Sequence, residues 1–165
     1  MRVIGIDPGI ERTGFAVLEM NRGKATLLDV GCIKTDKKFS FPQRLTQLVA
    51  DLKSILRQWN PVAASIEHIF FSKNVKTAIK VSHARGVILE TLEDHGIAIT
   101  ELYPAQVKMA MTGDCRADKL QIKKMVQYTL GLKLKNDDAA DAIACAMCLA
   151  NINPSIKTPA GNIHN

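Results

Sequence analysis

No apolar run in this chain approaches the ~20 residues that a bilayer-spanning helix needs, so no membrane partner is expected. Nor does an apolar signal segment precede the first strand pattern, Met1-Arg2-Val3-Ile4-Gly5-Ile6-Asp7, and a cytoplasmic location is the expectation. Cysteine is scarce: Cys32, Cys115, Cys145 and Cys148 are too few and too scattered for a disulfide framework, and reduced thiols are expected. Cys145 and Cys148 form a C-x-x-C, but no second ligand pair accompanies it, which favours small core residues over a zinc or redox site. Repeats, low-complexity tracts and interdomain linkers are missing. A single domain over residues 1–150 is therefore expected, followed by a flexible C-terminal tail over 151–165 rich in Asn, Pro, Ser, Lys, Thr and Gly. Acids are the minority charge, 16 against 22 Lys and Arg, and the net charge of +6 favours a polyanionic partner, although basic proteins without one are common.

Against that basic background, Asn136-Asp137-Asp138-Ala139-Ala140-Asp141 packs three carboxylates into six residues. On a helix, Asp141 shares a face with Asp137 and Asp138, where like charges repel. A helix start with Asn136 as N-cap accounts for Asp137 and Asp138, which would face the positive end of the dipole. It does not account for Asp141, which enters the apolar run from Ala142 to Leu149 and needs a partner or a cation there. A metal site and a capped, solvated helix end both remain open at this level.

The remaining elements follow from pattern. Val3-Ile4-Gly5-Ile6 is a short apolar strand closed by Asp7-Pro8-Gly9. Residues 13–20 and 25–33 are two more strands joined by the Asn21-Arg22-Gly23-Lys24 turn, completing an antiparallel meander. Ser40-Phe41-Pro42-Gln43 is a capping box ahead of Leu45, Leu48, Val49, Leu52, Ile55, Leu56 and Trp59 at helical spacing, stopped by Asn60-Pro61. Residues 62–67 form a buried strand that ends, like the first, on a carboxylate, Glu67. A long helix runs from about Asn74 to His95, and Gly86 inside it suggests close approach by another backbone. A strand at 97–102, a helix from Pro104 to Thr112, one capped by Asp118 and the acidic helix complete the chain. The pattern predicts an α/β sandwich: a mixed five-stranded sheet, antiparallel meander then parallel strands, with helices on both faces.

If the strands ending on Asp7 and Glu67 are neighbours, both carboxylates face one cleft. Carboxylates gathered in one place repel unless divalent cations neutralise them, and hard oxygen donors select magnesium or manganese. Two such ions can drive in-line displacement at phosphorus, and a basic surface makes a nucleic-acid phosphodiester the natural substrate.

Over nearly its whole length the sequence resembles the RuvC-type Holliday-junction resolvases of the ribonuclease-H-like superfamily. The resemblance is carried by Gly5-Ile6-Asp7-Pro8-Gly9 with Thr13-Gly14, by Ile66-Glu67 with Phe70, Lys73-Asn74 and Ala84-Arg85-Gly86, by Gln106-Val107-Lys108, by Arg116-Ala117-Asp118-Lys119, and by Asp138-Ala139-Ala140-Asp141-Ala142. It implies a homodimer that binds four-way junction DNA and nicks two strands symmetrically during recombination and repair, working with branch-migration proteins of the RuvA/RuvB type. It implies Asp7, Glu67, Asp138 and Asp141 as catalytic carboxylates holding Mg2+, with Mn2+ as an alternative and two ions per active site. Lys119 would assist at the scissile phosphate, or be a solvated first-turn lysine; Phe70 would stack on bases, or be a core phenylalanine. Lys73, Arg85, Lys108 and Arg116 would be DNA contacts, or ordinary surface charges, with Arg85 also able to face the dimer partner. His68 is expected to be structural, because strand alternation turns it away from Glu67. The chain departs from the family's pattern at Asp114-Cys115 and at Ser82-His83. Competing expectations are a YqgF-like nuclease of the same superfamily, an actin-like ATPase, for whose second domain the chain has little room, and a junction-binding architectural protein without catalysis.

Overall fold

The computed structural model describes residues 1–21, 24–68, 75–134 and 137–152, with the backbone alone at 75–76 and 137–138. The expected turn at Arg22-Gly23, the Asn136 cap, Phe70, Lys73 and the tail beyond Ile152 lie outside the described residues. Among the described residues ten elements follow in chain order: β1 (Arg2–Asp7), β2 (Arg12–Asn21), β3 (Lys24–Lys34), α1 (Phe41–Trp59), β4 (Ala63–Glu67), α2 (Val75–Asp94), β5 (Ala98–Leu102), α3 (Pro104–Thr112), α4 (Lys119–Leu130) and α5 (Asp137–Ile152). The helix α5 takes in Asn151 and Ile152, which the sequence pattern assigns to the tail.

The sheet order is β3-β2-β1-β4-β5. The first three strands pair antiparallel, while β4 pairs parallel to β1 and β5 parallel to β4. This is the mixed five-stranded sheet with helices on both faces that the pattern predicts. Strand alternation divides its side chains between two cores. Val3, Ala16, Leu18 and Ala63 pack with α3, α4 and α5, whereas Ile4, Ile6, Val17, Ala64 and Ile66 pack with α1 and α2.

Local chemistry sets the helix ends. The N-cap box of α1 is made by Gln43 Oε1, which accepts from the Ser40 N–H at 2.9 Å, and Pro42 fits the first turn. Its apolar stripe buries Leu48, Leu52 and Leu56, each contributing about 1.5–3 kcal/mol of transfer free energy. Asn60 then turns the chain in a left-handed conformation (φ 47°), which a short polar side chain tolerates. In α2 the expectation for Gly86 fails within the chain: among the described residues nothing lies within 4 Å of the place its Cβ would occupy. Cys145 and Cys148 are buried as expected, and burial pushes the Cys148 thiol up to about 11.

Candidate active site

The site begins with two adjacent strand ends. β1 and β4 run in parallel with Ile6 opposite Ile66, so Asp7 and Glu67 lie one step beyond a shared register. Because Ile6 and Ile66 belong to the α1/α2 side, period-two alternation turns Asp7 and Glu67 toward α5. The same alternation turns Gly5 that way, and there α5 comes against bare backbone. A Cβ on Gly5 would lie 2.2 Å from the Ala142 carbonyl oxygen and 2.5 Å from the Ala146 nitrogen. Small residues on both partners thus seat α5 directly on β1, with Asp141 next to the contact.

A second helix brings a cation. The N-cap of α4 is Asp118, whose side chain accepts from the Gln121 N–H at 2.8 Å while Gln121 Oε1 accepts from the Asp118 N–H at 2.8 Å. This closed cap fixes the first turn, from which Lys119 Nζ donates to Asp141 Oδ2 at 2.8 Å. The cleft between these elements has a volume of about 190 Å³; Glu67, Asp141, Lys119 and Lys108 supply its charges, and Pro104, Val107 and Ile122 part of its apolar wall.

Electrostatics couple the four charged groups. Burial raises the Glu67 carboxyl above its ordinary range, the Asp141 charge raises it further, and Lys119 and Lys108 oppose both. The Lys119 ammonium is held above its ordinary value first by its hydrogen bond to Asp141, against some desolvation, and then by the charges of Asp141, Asp7 and Glu67. The donor chemistry fits a hard divalent cation: carboxylate oxygens gathered where a positive charge is stabilised. Among the described residues no three acidic, histidine or cysteine side chains draw close enough to hold a metal ion. Asp141 meets the Lys119 ammonium at 2.8 Å, an opposite charge that stabilises its carboxylate.

Of the residues singled out from the sequence, the structure brings Asp7, Glu67, Asp141, Lys119 and Lys108 to this end of the sheet. Asp138 is described only as backbone in the first turn of α5. Arg116 is solvent-exposed in the loop before α4, its N–H donating to Asp114 Oδ1 at 2.8 Å. Arg85 is not brought to the cleft: it pairs with Glu101 of β5, its side chain only 17% exposed. Glu101 stands opposite Ile66, so this pair is on the α1/α2 face, across the sheet from the cleft. His68 stacks on Tyr103, centroids 4.8 Å apart, and its N–H donates to the Leu102 carbonyl at 2.8 Å. Two contributors stand in the sequence only as carriers of the resemblance, with no structural role announced. Thr13, 1% exposed, donates its hydroxyl to the Gly9 carbonyl at 2.5 Å and holds the turn after Asp7. Gly5 matters only through a helix 137 residues onward, and nothing local announces that contact.

A mixed sheet in this order, with carboxylates ending its two central parallel strands and a third on the final helix, defines a ribonuclease-H-like nuclease core. Comparison with known proteins narrows the class. The profile of the family described as crossover junction endodeoxyribonuclease RuvC matches residues 3–149. A RuvC from Chloroflexus aurantiacus is 43% identical over 159 residues, spanning 95% of this chain and 97% of its own, and one from Caldicellulosiruptor saccharolyticus is 47% identical over 151 residues, spanning 90% and 91%. The Thermus thermophilus RuvC structure superposes with a TM-score of 0.83 at 33% identity, covering 91% of this chain and 93% of that one. The same protein in complex with a Holliday junction substrate gives 0.82 at 31% identity, with the same coverage. The chain belongs to the RuvC crossover junction endodeoxyribonuclease family.

Proposed function

We propose that this protein is a structure-specific endonuclease that resolves four-way DNA junctions by symmetric, metal-dependent phosphodiester hydrolysis in recombination and repair. The observation that carries this reading is the meeting of Glu67 and Asp141 with Lys119 and Lys108 in one cleft at the end of β4, beside Asp7 at the end of β1. Acids alone would repel DNA; acids interleaved with lysines suit a phosphate bridged to the protein by cations. The relative solved with a Holliday junction substrate supports junction DNA as the ligand.

Asp7, Glu67, Asp138 and Asp141 would hold Mg2+, or Mn2+, at two ions per active site. Such ions supply activation of water and stabilisation of the leaving oxygen. The chain's own residues do the rest. Lys119 leaves Asp141 for the scissile phosphate and offsets negative charge there, as a preorganised cation on the rigid first turn of α4. Lys108, at the cleft wall, attracts and seats the phosphate backbone. Phe70 stacks on an unpaired base at the junction centre, worth about 1–3 kcal/mol, while Lys73 and Arg116 contact phosphates.

Two symmetric nicks need two active sites, which a homodimer supplies. The outward face of α2, where Ile79 is 48% exposed and Gly86 is open to an approaching backbone, is the proposed interface. Ile79→Glu then yields a monomer by light scattering, and an unaltered dimer counts against this face. Branch-migration proteins of the RuvA/RuvB type are the proposed partners, in the cytoplasm. Among the described residues no helix is long and apolar enough to cross a membrane.

The test is a synthetic four-way junction with fixed arms, incubated with protein and Mg2+. Paired, symmetric nicks with ligatable ends are expected. Binding without cleavage favours the architectural alternative, and equal cleavage of linear duplex favours a ribonuclease-H-like nuclease of another, YqgF-like kind.

A further inference from the structure

The segment joining β1 to β2, residues 8–11, follows Asp7 directly and is held from two sides. The Gly9 carbonyl accepts from Thr13 Oγ1 at 2.5 Å. The Ile10 carbonyl accepts from Thr35 Oγ1 at 2.5 Å and from Arg44 Nη2 at 3.3 Å, and the Glu11 carbonyl accepts from the Thr35 N–H at 3.3 Å. Arg44 Nε donates to Thr35 Oγ1 at 2.9 Å, so one guanidinium ties the first turn of α1, the residue following β3 and this segment together. Three successive carbonyls after Asp7 are thus hydrogen-bonded by residues from outside the segment.

Arg44 is the only charged side chain in the buried class among the described residues, at 9% exposure. Among the described residues, its two side-chain hydrogen bonds go to neutral oxygens, although a buried guanidinium is ordinarily balanced by a carboxylate. A cation retained at that desolvation cost calls for a use. Its fork of planar donors can bridge two acceptors on different elements, which a lysine ammonium cannot do in the same geometry. The charge of Arg44 also reaches Glu11, whose carboxyl it helps hold below its ordinary range after the larger effect of Lys37.

We propose that Arg44, acting through Thr35 and the Ile10 carbonyl, is a positioning residue that fixes the turn after Asp7 and thereby the placement of the Asp7 carboxylate. The proposal rests on the nuclease reading above. Placement of a catalytic group within a fraction of an ångström governs rate, and a misplacement of 1 Å costs about 10²-fold. Binding of the junction, which uses the surrounding basic surface, does not depend on this clamp.

The test compares Arg44→Met and Arg44→Lys with Leu48→Ala, a core variant one turn further along α1 that destabilises without removing any hydrogen bond of the clamp. At a temperature where all are folded, Arg44→Met lowers kcat by about 10²-fold, leaves KM and junction affinity in Ca2+ within twofold, and speeds amide hydrogen exchange at residues 8–12. Arg44→Lys restores part of the rate, and Leu48→Ala leaves kcat within threefold and exchange at 8–12 unchanged. If Arg44→Met does not fold, Thr35→Val removes the shared hydroxyl and gives the same split. A kcat for the clamp variant no lower than that of Leu48→Ala overturns the proposal alone. A wild type that does not cut junctions overturns the proposal and the functional reading together.

Discussion

Gly5 and Ala142 meet backbone to backbone: the space a Cβ would need on Gly5 is occupied by the Ala142 carbonyl oxygen at 2.2 Å. The contact sets the height of α5 above β1, and Asp141 precedes Ala142 directly. Gly5→Ala forces α5 outward, because its obstacle is helix backbone and not a flexible side-chain end. Overpacking of this kind costs about 1–3 kcal/mol, measurable by urea unfolding. Cleavage is expected to fall further than the loss of folded protein explains, since the Asp141 carboxylate moves with the helix.

That contact also marks the limit of what the sequence makes legible. The strand ends at Asp7 and Glu67, the cap of α1 at Ser40 and Gln43 and the cap of α4 at Asp118 all announce themselves, because each depends on residues a few positions apart. The adjacency of β1 and β4 is a condition in the sequence reading and a fact of the sheet order. Arg85 reads as a DNA or interface residue, yet Glu101, 16 positions away on β5, engages it on the far side of the sheet. Arg44 hides beside Leu45 and Leu48 as one more polar position on an amphipathic helix, because its partners Ile10 and Thr35 come from other elements. What the sequence conceals is long-range pairing; what it displays is local chemistry.

The Glu67 carboxyl makes stability depend on pH. Its folded value lies above the reference 4.5, raised first by burial and then by Asp141, so the folded state binds this proton more tightly than the unfolded chain. The resulting stabilisation is complete below about 4.5 and is lost as pH rises through the folded value. Glu67→Gln without metal therefore melts above wild type at pH 8, and the gap narrows toward acid pH. Thermal melts in chelator across that range check it, and equal melting of the two proteins at pH 8 contradicts it.

Lys119 and Asp141 make a further prediction through their 2.8 Å hydrogen bond. Lys119→Gln keeps a donor but removes the charge that the proposed function assigns to the phosphate. Single-turnover cleavage should drop by about 10²-fold, while junction affinity, spread over many contacts, changes only a few-fold. An affinity loss as large as the rate loss would make Lys119 an ordinary binding residue.

Asp114 tests the loop before α4. Its carboxylate accepts from the Arg116 N–H at 2.8 Å, a bond that asparagine can keep while dropping the charge. Asp114→Asn is expected to raise junction affinity at low salt, the gain fading as added salt screens it. Fluorescence anisotropy at two salt concentrations measures this, and identical affinities at low salt would refute it.

In the proposed function the strand-end carboxylates cut DNA and do not merely hold the fold. Asp7→Asn preserves shape and removes one charge, so the most direct measurement is its junction binding in Ca2+ beside its junction cleavage in Mg2+. Wild-type binding with cleavage lost is the expected result. Paired nicks from Asp7→Asn at the wild-type rate would contradict it.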